Sequence, residues 1–89
     1  MTGESPENRL KRLRMRSWRR GTKEMDLILG PYADARLAAM DATALDAFEA
    51  LLAENDTDLY PWITGAQPTP AQHVALIGAL RDFATRQHS

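Results

Sequence analysis

Ser17-Trp18-Arg19-Arg20-Gly21-Thr22-Lys23-Glu24 joins two segments of opposite character. Between Arg9 and Lys23 stand Arg9, Lys11, Arg12, Arg14, Arg16, Arg19, Arg20 and Lys23, with no acid among them. From Glu24 onward only Arg36, Arg81 and Arg86 face ten acids. The net charge of −1 therefore hides a two-sided molecule, whose basic pole steers it toward an acidic surface. Gly21 reads as the residue just past a helix end, where a left-handed backbone costs glycine little. Arg19 and Arg20 in the last turn suit the negative end of that helix, and Glu24 suits the first turn of the next. Gly21 or Thr22 opens this second helix.

Working back from the junction, Ser5-Pro6-Glu7 carries a helix-start signal: a capping serine, a proline at the first helical position and an acid in the first turn. The predicted helix runs to Arg19 or Arg20, with Leu10, Leu13, Ser17 and Trp18 on one face and most arginines off it. Met1 to about Pro6 reads as a frayed tail.

Working forward, Met25, Ile28, Leu29 and Tyr32 recur at i, i+3, i+4 and i+7, an amphipathic helix. Gly30-Pro31 predicts a kink or short break before the pattern resumes to Leu37. Asp41 is the next N-cap, and Leu45, Phe48, Leu51 and Leu52 form the stripe of a third helix with Asp46, Glu49 and Glu54 outside. Asn55-Asp56-Thr57-Asp58 breaks it and caps a short fourth helix holding Leu59, Trp62 and Ile63. Trp62 reads as a core anchor and Tyr60 as reaching the surface. Gly65 to Pro68 is a turn. Thr69-Pro70 starts a last helix with Val74, Ile77, Leu80 and Phe83 or Ala84 inward, fraying from Gln87 to Ser89. The fold class is all-α, a small bundle of about five helices joined by short loops, in one domain over residues 1–89.

Composition narrows the chemistry. Without cysteine there are no disulfides, no thiolate catalysis and no zinc–cysteine site. No run approaches the roughly 20 apolar residues of a membrane span, and the N-terminus has no secretory h-region. Glu4 and Glu7 argue against a transit peptide, so the chain reads as a cytoplasmic, bacterial protein. His73 and His88 are too far apart to pair on a metal and read as solvated helix residues. Asp56 and Asp58 hint at a calcium loop, but its glycine is missing and its twelfth position is Gln67, so capping is the better account. Ser17 lies inside a helix with no histidine near it, and the glycines form no phosphate cradle. The chain is read as not an enzyme.

The basic helix admits three readings: a solvated face, a nucleic-acid grip with Trp18 stacking on a base, or a docking surface for an acidic protein. The pI of about 6.1 and the lack of a basic recognition helix weigh against nucleic acid. Arg20-Gly21-x-x-Glu24 is also explicable by helix termination alone, so local physics leaves its role open.

Arg16-Ser17-Trp18-Arg19-Arg20-Gly21-Thr22-Lys23-Glu24-Met25-Asp26, with the apolar helix to Tyr32, resembles the succinate dehydrogenase assembly factors that promote covalent attachment of FAD. The family's Arg-Gly-x-x-Glu signature falls on Arg20, Gly21 and Glu24. The stretch from Asp56 to Trp62, with Pro68, resembles the family's acidic-aromatic turn, and the likeness extends from about Arg9 to Phe83. The resemblance implies a helical chaperone that binds the flavoprotein subunit of succinate dehydrogenase, or in some bacteria of fumarate reductase. It implies help to an autocatalytic bond between the flavin and a histidine of that subunit. The implied partner-binding residues are Arg16, Trp18, Arg19, Arg20, Gly21, Glu24 and Asp26, with Gly21 and Glu24 nearest the flavin. Thr22 and Lys23, variable in the family, inherit no role. A monomer is expected, with no stably bound cofactor or metal, no nucleic-acid partner and no membrane insertion.

Overall fold

The computed structural model describes residues 4–87, and their packing falls into two units that part between Met40 and Asp41. Among the described residues the chain is all-α, with five helices, two 3-10 turns and no strand.

In the first unit, Ser5 accepts the Asn8 N–H at 3.2 Å and Pro6 opens helix α1, Pro6–Trp18. A serine oxygen satisfies one of the amides that a helix start leaves unpaired, and proline there has none to lose. Leu13 and Ser17 are fully buried. Ser17 can be buried because its hydroxyl donates to the Leu13 carbonyl at 2.8 Å. The helix stops at Trp18, slightly earlier than the pattern predicts, because Arg19 already leaves helical space at φ −129° and ψ 52°. Gly21 follows at φ +103°, a conformation that strains any residue carrying a Cβ. Thr22 is the N-cap of helix α2, Lys23–Arg36, and accepts the Met25 N–H at 3.4 Å.

The break predicted at Gly30-Pro31 is absent: α2 runs unbroken through Pro31. An interior proline costs a helix about 3 kcal/mol. Leu29 and Gly30 before it and Tyr32 and Ala33 after it are all buried, on a helix that packs against α1. Burying one leucine-sized side chain contributes about 1.5–3 kcal/mol, so the apolar stripe spanning the proline outweighs it. A 3-10 turn, Leu37–Ala39, closes the unit with Leu37 fully buried.

In the second unit, Asp41 accepts the Ala44 N–H at 2.8 Å and starts helix α3, Ala42–Leu52. Phe48, Leu51 and Leu52 are buried, as the stripe predicts, and Leu45 is half-buried. Helix α4, Asp56–Thr64, has Asn55 at its N-cap and Asp56 and Asp58 in its first turn, where the helix dipole favours acids. Leu59, Trp62 and Ile63 face inward while Tyr60 is exposed. Gly65 ends α4 at φ +85°.

The entry to the last helix differs from the sequence pattern. Thr69-Pro70 leads not into an α-helix but into a 3-10 turn, Ala71–His73, and helix α5 spans Val74–Gln87. The inward stripe is therefore His73, Ile77 and Leu80, with Phe83 and Ala84 half-buried, and Val74 is exposed. His73, read from sequence as solvated, is 3% exposed. Its Nε2 lies 2.9 Å from Glu54 Oε2, and its ring packs against Trp62 at a centroid distance of 5.6 Å. The polar edge thus has a partner and the ring face an aromatic one, which makes burial tolerable. Gln87 is still helical. Half of the expected frayed tail, residues 1–3, and His88 with Ser89 lie outside the described residues; in the other half Glu4 pairs with Arg12, Ser5 caps α1 and Pro6 opens it.

Candidate functional site

Three hydrogen bonds, each closing over a few residues, help to hold the junction between α1 and α2. Thr22 contributes its side chain to the Met25 amide and its carbonyl to the Asp26 amide at 3.1 Å. Asp26 reaches back across the turn, and its Oδ1 accepts the Arg20 N–H at 2.7 Å. A carboxylate accepting an amide at that length is a strong, charge-assisted bond. Asp26 and Arg20 are half-buried by this arrangement, while Arg19, Gly21, Thr22, Lys23 and Glu24 remain exposed. A Cβ built on Gly21 meets nothing within 4 Å. The turn is therefore a bare backbone corner, with Glu24 on the first turn of α2 beside it.

Four residues farther along α2, the same stripe receives Trp18. A Cβ on Gly30 would overlap the indole carbons of Trp18, so the ring lies directly on the glycine backbone. Its Nε1–H donates to Asp34 Oδ2 at 3.3 Å, and Arg14 Nε lies 3.2 Å from Asp34 Oδ1, close but not aligned for a hydrogen bond. Asp26, Gly30 and Asp34 are spaced by four and so line one face of α2. That face docks the end of α1 running the opposite way: Arg20 on Asp26, Trp18 on Gly30, Arg14 on Asp34.

The sequence-derived site residues thus separate into two kinds. Arg19, Gly21 and Glu24 are exposed at the corner, and Arg16 is half-buried in the last turn of α1. Trp18, 38% exposed, is committed to Gly30 and Asp34, which removes one ring face from any stacking on a base. Arg20 and Asp26 are tied to each other through the backbone of Arg20. The basic face is partly neutralised within the chain. Arg12 forms a forked pair with Glu4, its Nη2 2.7 Å from Oε1 and its Nε 3.0 Å from Oε2, and Arg14 faces Asp34. Sequence reasoning missed Gly30 and Asp34. The four-residue spacing from Asp26 was the available signal, but it does not say which element covers that face.

Among the described residues no group of three or more His, Asp or Glu is arranged to hold a metal, and no helix is long and apolar enough to cross a membrane.

Residues 11–84 match the family model described as flavinator of succinate dehydrogenase. The chain is similar to proteins named succinate dehydrogenase assembly factor 2, mitochondrial. It is 38% identical to that of Mycosarcoma maydis over 78% of this chain and 29% of the relative. It is 40% identical to that of Meyerozyma guilliermondii over 71% of this chain and 47% of the relative. It is 35% identical to that of Candida glabrata over 91% of this chain and 56% of the relative. The chain therefore spans about a third to a half of the length of these relatives. Their names place them in mitochondria, where the sequence reading expected a cytoplasmic protein.

Proposed function

This chain belongs to the family of flavinators of succinate dehydrogenase, and we propose that it binds the flavoprotein subunit of that enzyme and promotes covalent attachment of its FAD. The observation that carries the proposal is the corner itself: Gly21 at φ +103°, open on its Cβ side, between exposed Arg19 and exposed Glu24. A glycine in such a place lets another backbone come within contact distance. Glu24 beside it offers a carboxylate that can accept a hydrogen bond and orient a group of the partner. Arg16, Arg19 and the basic face of α1 steer the approach to an acidic surface and give it orientation.

In this reading the chain is a chaperone and not a catalyst. It holds no flavin of its own, and the bond to FAD is made by the partner's residues. It acts by binding the bond-forming conformation of the flavoprotein more tightly than the alternatives, which is the only way a binding protein can shift such an equilibrium. Its place of work is wherever the unassembled flavoprotein folds, the cytoplasm in a bacterium and the mitochondrion for the relatives so named.

Covalent flavin on the flavoprotein subunit, read as fluorescence on a denaturing gel, tests this. The subunit is expressed alone, with the wild-type chain, with Gly21→Arg or with Glu24→Ala. Signal should rise with wild type and fall toward the level of the subunit alone with either variant. A Cβ at Gly21 meets nothing within 4 Å, so the first atom of the new side chain makes no clash, and the substitution acts through strain at φ +103° and through bulk placed at the corner. Equal signal in all four lanes overturns the proposal.

A further inference from the structure

We infer that Asp26 is a positioning residue, whose carboxylate shapes the corner from inside by holding the Arg20 amide and does not itself meet the partner. The inference rests on the partner-binding role proposed for the corner and deepens it.

The geometry is specific. Asp26 is the fourth residue of α2, so its own amide is already used in the helix, donating to the Thr22 carbonyl at 3.1 Å. Its side chain turns back over the helix start, and Oδ1 takes the Arg20 N–H at 2.7 Å. The two bonds from one residue bracket Gly21: one ends on the residue before it and the other on the residue after it. With both neighbours anchored to the same aspartate, the unusual φ of Gly21 is held against the many other conformations glycine can take. Thr22, the residue clamped on the far side, is also the N-cap that sets where α2 begins and hence where Glu24 points. Asp26 is half-buried, whereas Arg19, Gly21 and Glu24 are exposed, so it stands behind the corner and not on it. Its charge also suits the N-terminal end of α2.

A positioning residue and a contact residue respond differently to the amide replacement. Asn keeps an oxygen that can accept the Arg20 N–H but loses the charge that a basic or hydrogen-bonding partner group would read. Asp26→Ala and Asp26→Asn are therefore compared by two readouts: hydrogen exchange of the Arg20 amide in the isolated chain, and covalent flavin on the co-expressed flavoprotein subunit. Asp26→Ala should speed exchange at Arg20 about tenfold or more, the loss of a charge-assisted bond. It should also lower covalent flavin toward the Glu24→Ala level. Asp26→Asn should keep most of both.

An Arg20 amide as protected in Asp26→Ala as in wild type overturns the inference, as does an Asn variant that keeps Arg20 protected yet loses flavin attachment like Ala. Thermal unfolding of each variant reports whether a loss reflects global unfolding, and the Asn variant keeps the comparison decisive if the Ala variant does not fold. If wild type itself fails to raise covalent flavin, the functional proposal falls. The exchange arm then still decides whether Asp26 holds the corner.

Discussion

The indole of Trp18 occupies the space that a side chain on Gly30 would need. This one contact ties the end of α1 to the middle of α2, next to the step where the structure departs from the expected break. Trp18 is drawn onto its own chain, and the Gly30-Pro31 step stays helical because the helix on both sides of the proline is buried.

Gly30→Ala should be destabilising although alanine is the better helix former. The gain in helix propensity is about 1 kcal/mol, and it is outweighed by overpacking that costs about 1–3 kcal/mol or expels the indole. Thermal unfolding should show a lower Tm, with Trp18 emission shifted to the red. Gly78→Ala in α5 supplies the contrast. A Cβ there meets nothing within 4 Å, so the same change should stabilise by about 0.5–1 kcal/mol.

Arg81 caps a helix other than its own. From α5 its Nε donates to the Ile63 carbonyl at 3.0 Å and its Nη2 to the Trp62 carbonyl, two acceptors at the C-terminal end of α4. These carbonyls have no partner within the helix, and a cation there also suits the dipole. Arg81→Met, which keeps much of the stem, should cost about 1–2 kcal/mol in denaturant unfolding. Lysine should rescue only part of it, since an ammonium cannot fork to two carbonyls in the same plane.

Tyr32 predicts an alkaline limb. Burial pushes its phenol above the ordinary value of 10.0, and the Arg36 guanidinium pulls it back in part. The folded chain then keeps this proton at a pH where the unfolded chain has lost it. Stability from this group is complete below the unfolded value of 10.0 and is lost as pH rises through the folded one. Urea midpoints should therefore fall with pH above about 10 in wild type and less steeply in Tyr32→Phe. Parallel slopes in the two proteins would show that the phenol does not contribute.

Legibility followed the range of the interaction. Ser5, Thr22 and Asp41 act on amides three residues away, and each cap was readable at its own position. The left-handed backbone of Gly21 was readable too, but not its place: α1 ends at Trp18, so Arg19 is the C-cap, Arg20 lies beyond it, and neither arginine stands in the last turn as expected. The stripe Met25, Leu29 and Tyr32 needed only helical period. Val74 and His73 were misassigned because a 3-10 turn in place of an α-turn moves the inward position by one residue, and nothing local in Thr69-Pro70 distinguishes the two. Trp18, Asp26 and Asp34 carry polar or aromatic groups that suit a partner surface as well as an internal contact. Their sequence neighbours do not say which.

By itself, then, the sequence determined the five helices, the starts of the first four and the exposed glycine corner, since these depend on hydrogen bonds and periodicity within one or two turns. The tertiary structure alone decided that α2 passes through Pro31, that Trp18 faces Gly30, and that Asp26 reaches Arg20 from behind the corner. Those outcomes depend on which helix face lies against which. A chain settles that by the total apolar area it buries, and no single residue along it carries that sum.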